Sequence, residues 1–127
     1  MFKVLIADDE SHIRILLEQT LEDLVDSGEI ELVMAENGAQ ALYMAYEKSP
    51  QLVILDVMMP HCNGYEVCKQ LKQEFKNSIY VIFLTAKGQE LDKKNAIEAG
   101  MDEYITKPFE PDFIVSKVKH IKEKFNK

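Results

Sequence analysis

The sequence predicts an α/β domain in which helices cover both faces of a parallel β-sheet. Five short apolar runs recur along the 127 residues. The segments between them carry apolar residues at helical spacing, and five strands alternating with five helices are typical of this fold class. The length suits one domain of ordinary size, and an apolar content of 46% can build a core. We therefore expect a single domain over residues 1–127.

The predicted strands are residues 4–7, 32–35, 52–55, 80–84 and, more weakly, 104–105. Their length and their β-branched and aromatic content favour strands over helices. The middle strands are nearly continuously apolar, which predicts central positions in the sheet. Open sheets of this kind bind ligands beyond the carboxyl ends of their strands. The residues that follow each run are therefore the candidate site residues.

The predicted helices lie between and after the strands. The first and last have the clearest apolar stripes: Ile13, Leu16, Leu17, Leu21, Leu24 and Val25, and then Ile114, Val118, Ile121 and Phe125. The second is marked by Ala39, Leu42 and Ala45, and the third by Tyr65, Val67, Cys68, Leu71 and Phe75. The fourth, around residues 90–99, is the least amphipathic. Turn-forming residues lie at the predicted joints: Gly28, Asn37, Gly38, Pro50, Pro60, Gly64, Gly88, Gly100, Pro108 and Pro111.

Charge is unevenly distributed along the chain. The formal net charge is −7, but residues 114–127 hold five lysines and one glutamate, so that segment is +4 and the remainder is −11. A body this acidic repels phosphate backbones, which argues against direct nucleic-acid binding. The lysine-rich end is either a solvated helix face or a segment that docks a partner or begins a linker.

Membrane insertion and disulfide chemistry are both unexpected for this sequence. Uninterrupted apolar runs such as residues 52–55 and 81–84 fall far short of the roughly 18 residues of a membrane-spanning helix. The start lacks a hydrophobic stretch long enough for a secretory signal, so we expect a cytoplasmic protein. Cys62 and Cys68 have no suitably spaced histidine pair, and we interpret both as reduced structural thiols.

Acidic side chains follow two of the predicted strands. Asp8, Asp9 and Glu10 come after the first strand and Asp56 after the third. If these strands are neighbours the carboxylates converge, and like charges about 5 Å apart repel by roughly 3 kcal/mol at an effective dielectric near 20. Such a cluster favours a cation, and oxygen ligands without a histidine pair favour magnesium. Taken singly, the first three acids could instead cap a helix and Asp56 could be a turn residue.

Thr85 and Lys107 end the fourth and fifth strands, so we expect them at the same edge. The combined set suits phosphoryl transfer to a carboxylate. Asp56, positioned by a buried strand, is the best nucleophile, and Asp8 and Asp9 are better metal ligands. Lys107 would stabilise charge on the phosphoryl group and Thr85 would donate a hydrogen bond to it. Read alone, Thr85 is an ordinary strand terminus and Lys107 a solvated side chain.

Four motifs in order resemble the receiver domain of bacterial two-component response regulators. They are Val-Leu-Ile-Ala-Asp8-Asp9-Glu, Leu-Val-Ile-Leu-Asp56-Val-Met-Met59-Pro60 followed by Gly64, Phe-Leu-Thr85-Ala86, and Tyr104-Ile-Thr-Lys107-Pro108-Phe109. The resemblance covers essentially the whole chain. It implies a flavodoxin-like three-layer sandwich with strand order 2-1-3-4-5.

The resemblance also implies a role for each site residue. Asp56 would accept a phosphoryl group from the phosphohistidine of a sensor histidine kinase or phosphotransfer protein, becoming an aspartyl phosphate. Asp9 would bind Mg²⁺ directly and Asp8 through water, with Asp56 and the backbone carbonyl of Met58 as further ligands; Mn²⁺ could substitute. The protein would assist its own phosphorylation and dephosphorylation without turning over a separate substrate.

Further roles concern the response to phosphorylation. By the same resemblance, Lys107 would contact the phosphoryl group, Thr85 would move toward it and Tyr104 would turn inward. The bond before Pro108 would be cis. The side chains of Met58 and Lys87 should affect how fast water removes the phosphoryl group, and His61 is interpreted as a surface loop residue.

The predicted output surface comprises the fourth helix, the fifth strand and the fifth helix. It would control a partner protein or an output domain beyond the given sequence. Asp102 and Glu103, with Lys117 and Lys119, could form cross-subunit salt bridges in a phosphorylation-dependent homodimer, or a solvated mixed-charge face.

Several other functions remain open at this level. The chain could be the receiver fragment of a longer DNA-binding transcription regulator. A magnesium-dependent aspartyl-phosphate phosphatase of the haloacid-dehalogenase type would need Asp-x-Asp after the first strand, and here that strand ends Asp8-Asp9-Glu10. A flavin carrier would need a hydroxyl- and glycine-rich loop there, because acids repel the cofactor phosphate.

Overall fold

The computed structural model of the chain describes residues 1–59, 62–86 and 92–126. Its main sheet has five parallel strands: β1 (Phe2–Ala7), β2 (Ile30–Ala35), β3 (Leu52–Asp56), β4 (Tyr80–Ala86) and β5 (Glu103–Lys107). Their order across the sheet is β2-β1-β3-β4-β5, which confirms the predicted order. All residues of the central β3 are buried. Just after β3 in the chain, Met58–Met59 pairs antiparallel with Cys62–Asn63.

Six α-helices lie within the described ranges. They are α1 (Ser11–Thr20), α2 (Glu22–Asp26), α3 (Gly38–Lys48), α4 (Gly64–Phe75), α5 (Lys93–Ala99) and α6 (Pro111–Phe125). The prediction of five helices was therefore wrong by one, because the first predicted helix is divided at Leu21. Leu21 has φ −100° and ψ 5°, and the hydroxyl of Thr20 donates to the carbonyl of Leu16 at 2.7 Å. Such side-chain bonds compete with regular helical hydrogen bonding.

The helices form two layers that pack on opposite faces of the sheet. Helices α3, α4 and α5 bury Ala41, Ala45, Val67, Cys68, Leu71, Ala96 and Ala99 against one face. Helices α1, α2 and α6, with the linking Leu21, bury Ile13, Leu17, Leu21, Leu24, Ile114, Val118 and Ile121 against the other. Strand residues alternate between the two clusters, as the period of a β-strand requires. The predicted three-layer sandwich is confirmed, although Ala39 is exposed.

Turn residues account for several of the predicted joints. Asn37 caps α3 by accepting a hydrogen bond from the backbone N–H of Gln40 at 2.8 Å, and Gly100 ends α5 with φ +90°. A left-handed conformation of this kind favours glycine. Four residues named from the sequence, Pro60, His61, Lys87 and Gly88, lie outside the described residues.

Two further observations concern the helices and the thiol of Cys68. None of the helices in the described ranges is long and apolar enough to cross a bilayer. Cys68 is a free and buried thiol, and burial raises its pKa to about 12. The thiol therefore stays protonated at neutral pH.

Candidate functional site

The carboxyl edge of the sheet collects the buried polar residues of the described chain. Asp8 directly follows β1 and is fully buried, and Asp56, the last residue of β3, is 3% exposed. Thr85 in β4 and Lys107 at the end of β5 are also buried. A charge is costly to bury unless it is paired. The sheet thus places three ionisable groups together that each need a partner.

Lys107 is the cation at the centre of this group. Its Nζ donates to Asp8 Oδ2 at 3.0 Å and lies 3.6 Å from Asp56 Oδ2. Burial by itself lowers the pKa of Lys107, but the hydrogen bond to Asp8 and the charge of Asp56 outweigh it, so the pKa is raised. Lys107 therefore keeps its positive charge between the two aspartates.

The surroundings of Asp56 disfavour the charged form of its carboxyl group. Burial and, next, the charge of Asp8 raise its pKa to about 7. The charge of Lys107 and a hydrogen bond from the backbone N–H of Met58 to Asp56 Oδ1, at 3.1 Å, act in the opposite direction. The two oxygens thus have different neighbours: Oδ1 is held by the loop after β3, and Oδ2 faces Lys107.

A cation would fit the remaining deficit of positive charge. One carboxylate oxygen from each of Asp8, Asp9, Glu10 and Asp56 lies within 4.8 Å of the others. Asp9 and Glu10 are exposed, so the cluster opens to solvent on one side. Several carboxylates with room for water suit Mg²⁺, which keeps part of its hydration shell. The donor set of this chain therefore fits the ion that the sequence indicated.

Glu10 also belongs to this cluster, although the sequence indicated no role for it beyond capping a helix or joining the acidic group. It occupies the N-cap position of α1 but makes no side-chain cap hydrogen bond. Instead, its Oε1 lies 3.3 Å from Lys107 Nζ and its Oε2 lies 3.4 Å from His12 Nε2. The backbone N–H of Glu10 donates to Asp8 Oδ1 at 2.9 Å. The run of three acids in the sequence placed Glu10 at this edge of the sheet, but it did not show that Lys107 would be the partner of Glu10.

Arg14 is a second residue that the sequence reasoning missed. Its guanidinium donates to the carbonyl oxygen of Asp8 at 2.6 Å and lies 3.3 Å from the carboxylate of Glu36. Glu36 directly follows β2. Arg14 therefore ties the loop that carries Asp8 to the loop after the neighbouring strand.

The remaining predicted site residues lie around this cluster. Met58 follows Asp56 by two residues, and its side chain is 60% exposed. Tyr104 on β5 is 42% exposed, so its ring is partly in solvent rather than turned fully inward. The peptide bond between Lys107 and Pro108 is cis, the configuration that the resemblance implies.

Three of the four charges considered for a dimer contact are already paired within the chain. Lys117 Nζ lies 3.0 Å from Glu103 Oε1, and Asp102 Oδ2 lies 2.6 Å from Lys72 Nζ. Lys119 is exposed. Of the four, Asp102, Glu103 and Lys117 would therefore have to exchange internal partners before bridging to a second subunit.

The sequence and the fold are similar to one family of signalling domains. The profile of the response regulator receiver domain matches residues 4–119. The alkaline phosphatase synthesis transcriptional regulatory protein PhoP of Bacillus subtilis is 44% identical over 119 residues, covering 94% of this chain and 48% of its own length. The transcriptional regulatory protein ResD of the same organism is 42% identical over 117 residues, covering 92% and 46%. The chain thus spans about half the length of the curated relatives it matches.

Solved structures agree with the sequence comparison. The REC domain of AraT, a response regulator from Geobacillus stearothermophilus, superposes with a TM-score of 0.86 at 28% identity, covering 98% of this chain and 95% of its own. The receiver domain of the Francisella response regulator 1452 superposes with a TM-score of 0.81 at 28% identity, covering 98% of both chains.

Proposed function

The chain belongs to the response regulator receiver domain family of two-component systems, and we propose that Asp56 is its phosphoryl acceptor. One observation carries the proposal: the Asp56 carboxylate ends the central strand, is 3% exposed, and faces Lys107 Nζ at 3.6 Å. A buried strand fixes the nucleophile in position, and the ammonium group of Lys107 beside it would stabilise charge on an incoming phosphoryl group.

The proposed donor is a phosphohistidine on a sensor histidine kinase or a phosphotransfer protein. A carboxylate oxygen of Asp56 attacks phosphorus, the P–N bond breaks, and its electron pair returns to the imidazole of the donor. The product is an acyl phosphate on Asp56. No separate substrate is turned over, so the domain acts as a switch that assists its own phosphorylation and loss of the phosphoryl group.

Three carboxylates of the cluster, those of Asp8, Asp9 and Asp56, form the proposed magnesium site. Asp9 would bind the ion directly, Asp8 through water, and Asp56 and the backbone carbonyl of Met58 would complete the protein ligands; Mn²⁺ could replace Mg²⁺. When bound, the ion neutralises charge on the phosphoryl oxygens. The oxygen-only donor set and its open side support this assignment.

Two residues are proposed to transmit the change. Thr85 would donate a hydrogen bond to the new phosphoryl group, and Tyr104, now partly exposed, would turn inward. The surface of α5, β5 and α6 would respond to these movements. Shifting a population from 1:99 to 99:1 requires about 5.5 kcal/mol of differential stabilisation, and charge-assisted hydrogen bonds plus burial of an aromatic ring supply energies of that order.

The output is proposed to be control of transcription, through a partner protein or an output domain. The curated relatives PhoP and ResD are named as transcriptional regulatory proteins, and this chain matches about half of each. A phosphorylation-dependent homodimer is one form that the output could take. The acidic body of the chain argues that nucleic-acid contacts belong to another domain or protein.

Mass spectrometry after incubation with acetyl phosphate and Mg²⁺ tests the acceptor. We expect the mass of one phosphoryl group to be gained, and to be lost in Asp56→Asn and on chelation of the metal. Asp26→Asn is a matched control, because Asp26 is an exposed aspartate at the end of α2 that does not follow a strand of the main sheet. A gain that persists in Asp56→Asn contradicts the assignment.

A further inference from the structure

We propose that Glu10 is a positioning residue that holds Lys107 away from Asp56 until a phosphoryl group arrives. The inference rests on the proposed function, because it concerns how Lys107 reaches the phosphoryl group. It follows from the way three carboxylates share one ammonium group. Glu10 is then neither a helix cap nor a metal ligand but a temporary counter-ion.

The distances order the three partners of Lys107. Its Nζ lies 3.0 Å from Asp8, 3.3 Å from Glu10 and 3.6 Å from Asp56. The ammonium group therefore donates hydrogen bonds to the two carboxylates that follow β1, whereas Asp56 is the farthest of its three partners. Removing either nearer carboxylate would release it in the direction of Asp56.

Exposure decides which of the two nearer partners can be released. The side chain of Asp8 is fully buried, whereas that of Glu10 is 45% exposed. A buried carboxylate that loses its cation remains unpaired in a medium of low polarity, but an exposed one is solvated at once. When a phosphoryl group of nearly two negative charges forms on Asp56, Lys107 can therefore keep Asp8 and exchange Glu10 for the phosphoryl oxygens.

The backbone keeps Glu10 in place for this role. Its N–H donates to Asp8 Oδ1 at 2.9 Å, while Asp8 Oδ2 accepts from Lys107. Asp8 thus fixes the main chain of Glu10 and the ammonium group of Lys107 with its two oxygens. The second oxygen of Glu10 lies toward His12 at 3.4 Å, which leaves Oε1 for the lysine.

The test compares three variants by their rate of phosphorylation with acetyl phosphate and Mg²⁺. Glu10→Gln removes the charge, and Glu10→Asp keeps the charge on a side chain shorter by one carbon. Glu36→Gln is the charge control, because it removes a carboxylate at the same sheet edge that pairs with Arg14. We expect both Glu10 variants to react roughly threefold faster than wild type, the effect of losing one partly exposed ion pair, and Glu36→Gln to change less.

Two further measurements separate positioning from a merely structural role. The side-chain ammonium resonance of Lys107, followed by NMR without a phosphodonor, should shift in both Glu10 variants. Mg²⁺ affinity, followed by calorimetry, should stay within a few-fold of wild type. A Glu10→Asp variant that reacts at the wild-type rate overturns the inference, because charge alone would then explain the effect.

A loss of Mg²⁺ affinity of tenfold or more in Glu10→Gln also overturns it, since Glu10 would then be a metal ligand. Failure of the proposed function gives a different result. In that case the wild-type protein gains no phosphoryl group at Asp56, whereas failure of the present inference leaves that gain intact.

Discussion

Gly64, the first residue of α4, should not tolerate even a methyl side chain. A Cβ atom there would lie 2.6 Å from the carbonyl oxygen of Val57, 2.8 Å from its Cα and 3.0 Å from the carbonyl oxygen of Asp56. All three are backbone atoms, and Gly64 N–H also donates to Val57 O at 3.1 Å, so neither segment can move alone. Overpacking costs about 1–3 kcal/mol, and the better helix propensity of alanine offsets at most about 1 kcal/mol. Gly64→Ala should thus lower the free energy of unfolding by about 1–2 kcal/mol.

Because the displaced backbone carries Asp56, the substitution should also slow phosphorylation. Urea unfolding followed by circular dichroism measures the stability, and mass spectrometry with acetyl phosphate measures the rate. Gly28→Ala is the matched control: its Cβ would meet nothing within 4 Å, but its φ of +81° costs roughly 1–2 kcal/mol in a left-handed conformation. We expect the control to lose stability and keep the wild-type phosphorylation rate. Wild-type stability and rate in Gly64→Ala would refute the steric reasoning.

Three other predictions follow from single contacts. Lys107→Met should raise Mg²⁺ affinity roughly tenfold, because the lysine cation beside Asp56 no longer competes with the metal. Calorimetry measures this affinity, and an unchanged value would contradict a site at which Lys107 and Mg²⁺ compete for Asp56. Tyr65→Phe should speed hydrogen exchange at the amide of Asp92, because that amide donates to the Tyr65 hydroxyl at 3.0 Å. The aromatic ring keeps its edge contact with Phe83. Unchanged exchange at Asp92 would exclude the hydrogen bond to the hydroxyl. Burial raises the pKa of Cys68 to about 12, so its thiol should resist alkylation in the native state until the pH approaches that value or the protein unfolds. The alkylation rate is measured in a variant whose other cysteine is replaced by serine. Rapid alkylation of the native protein at neutral pH would show the thiol to be accessible.

The elements of the fold were predictable because their signals are local. Apolar runs marked all five strands of the main sheet, including β5 with only Tyr104 and Ile105 as evidence. The division of the first helix was not predictable. The apolar stripe passes through Leu21 without interruption, since Leu21 is buried in the same cluster as Leu17 and Leu24. Periodicity reports which residues face the core, and it does not report where the backbone bends.

The sequence by itself determined which side chains meet at the carboxyl edge of the sheet. Parallel strands end at one edge, so acids and a lysine placed after apolar runs must converge there. Only the tertiary structure decided how they share charge. Lys107 lies 99 residues from Asp8 in the chain, and its ammonium group lies closer to Asp8 and Glu10 than to Asp56. The strength of an ion pair depends on burial and on differences of a few tenths of an ångström between charged groups. Neither quantity can be read from the spacing of residues in the sequence.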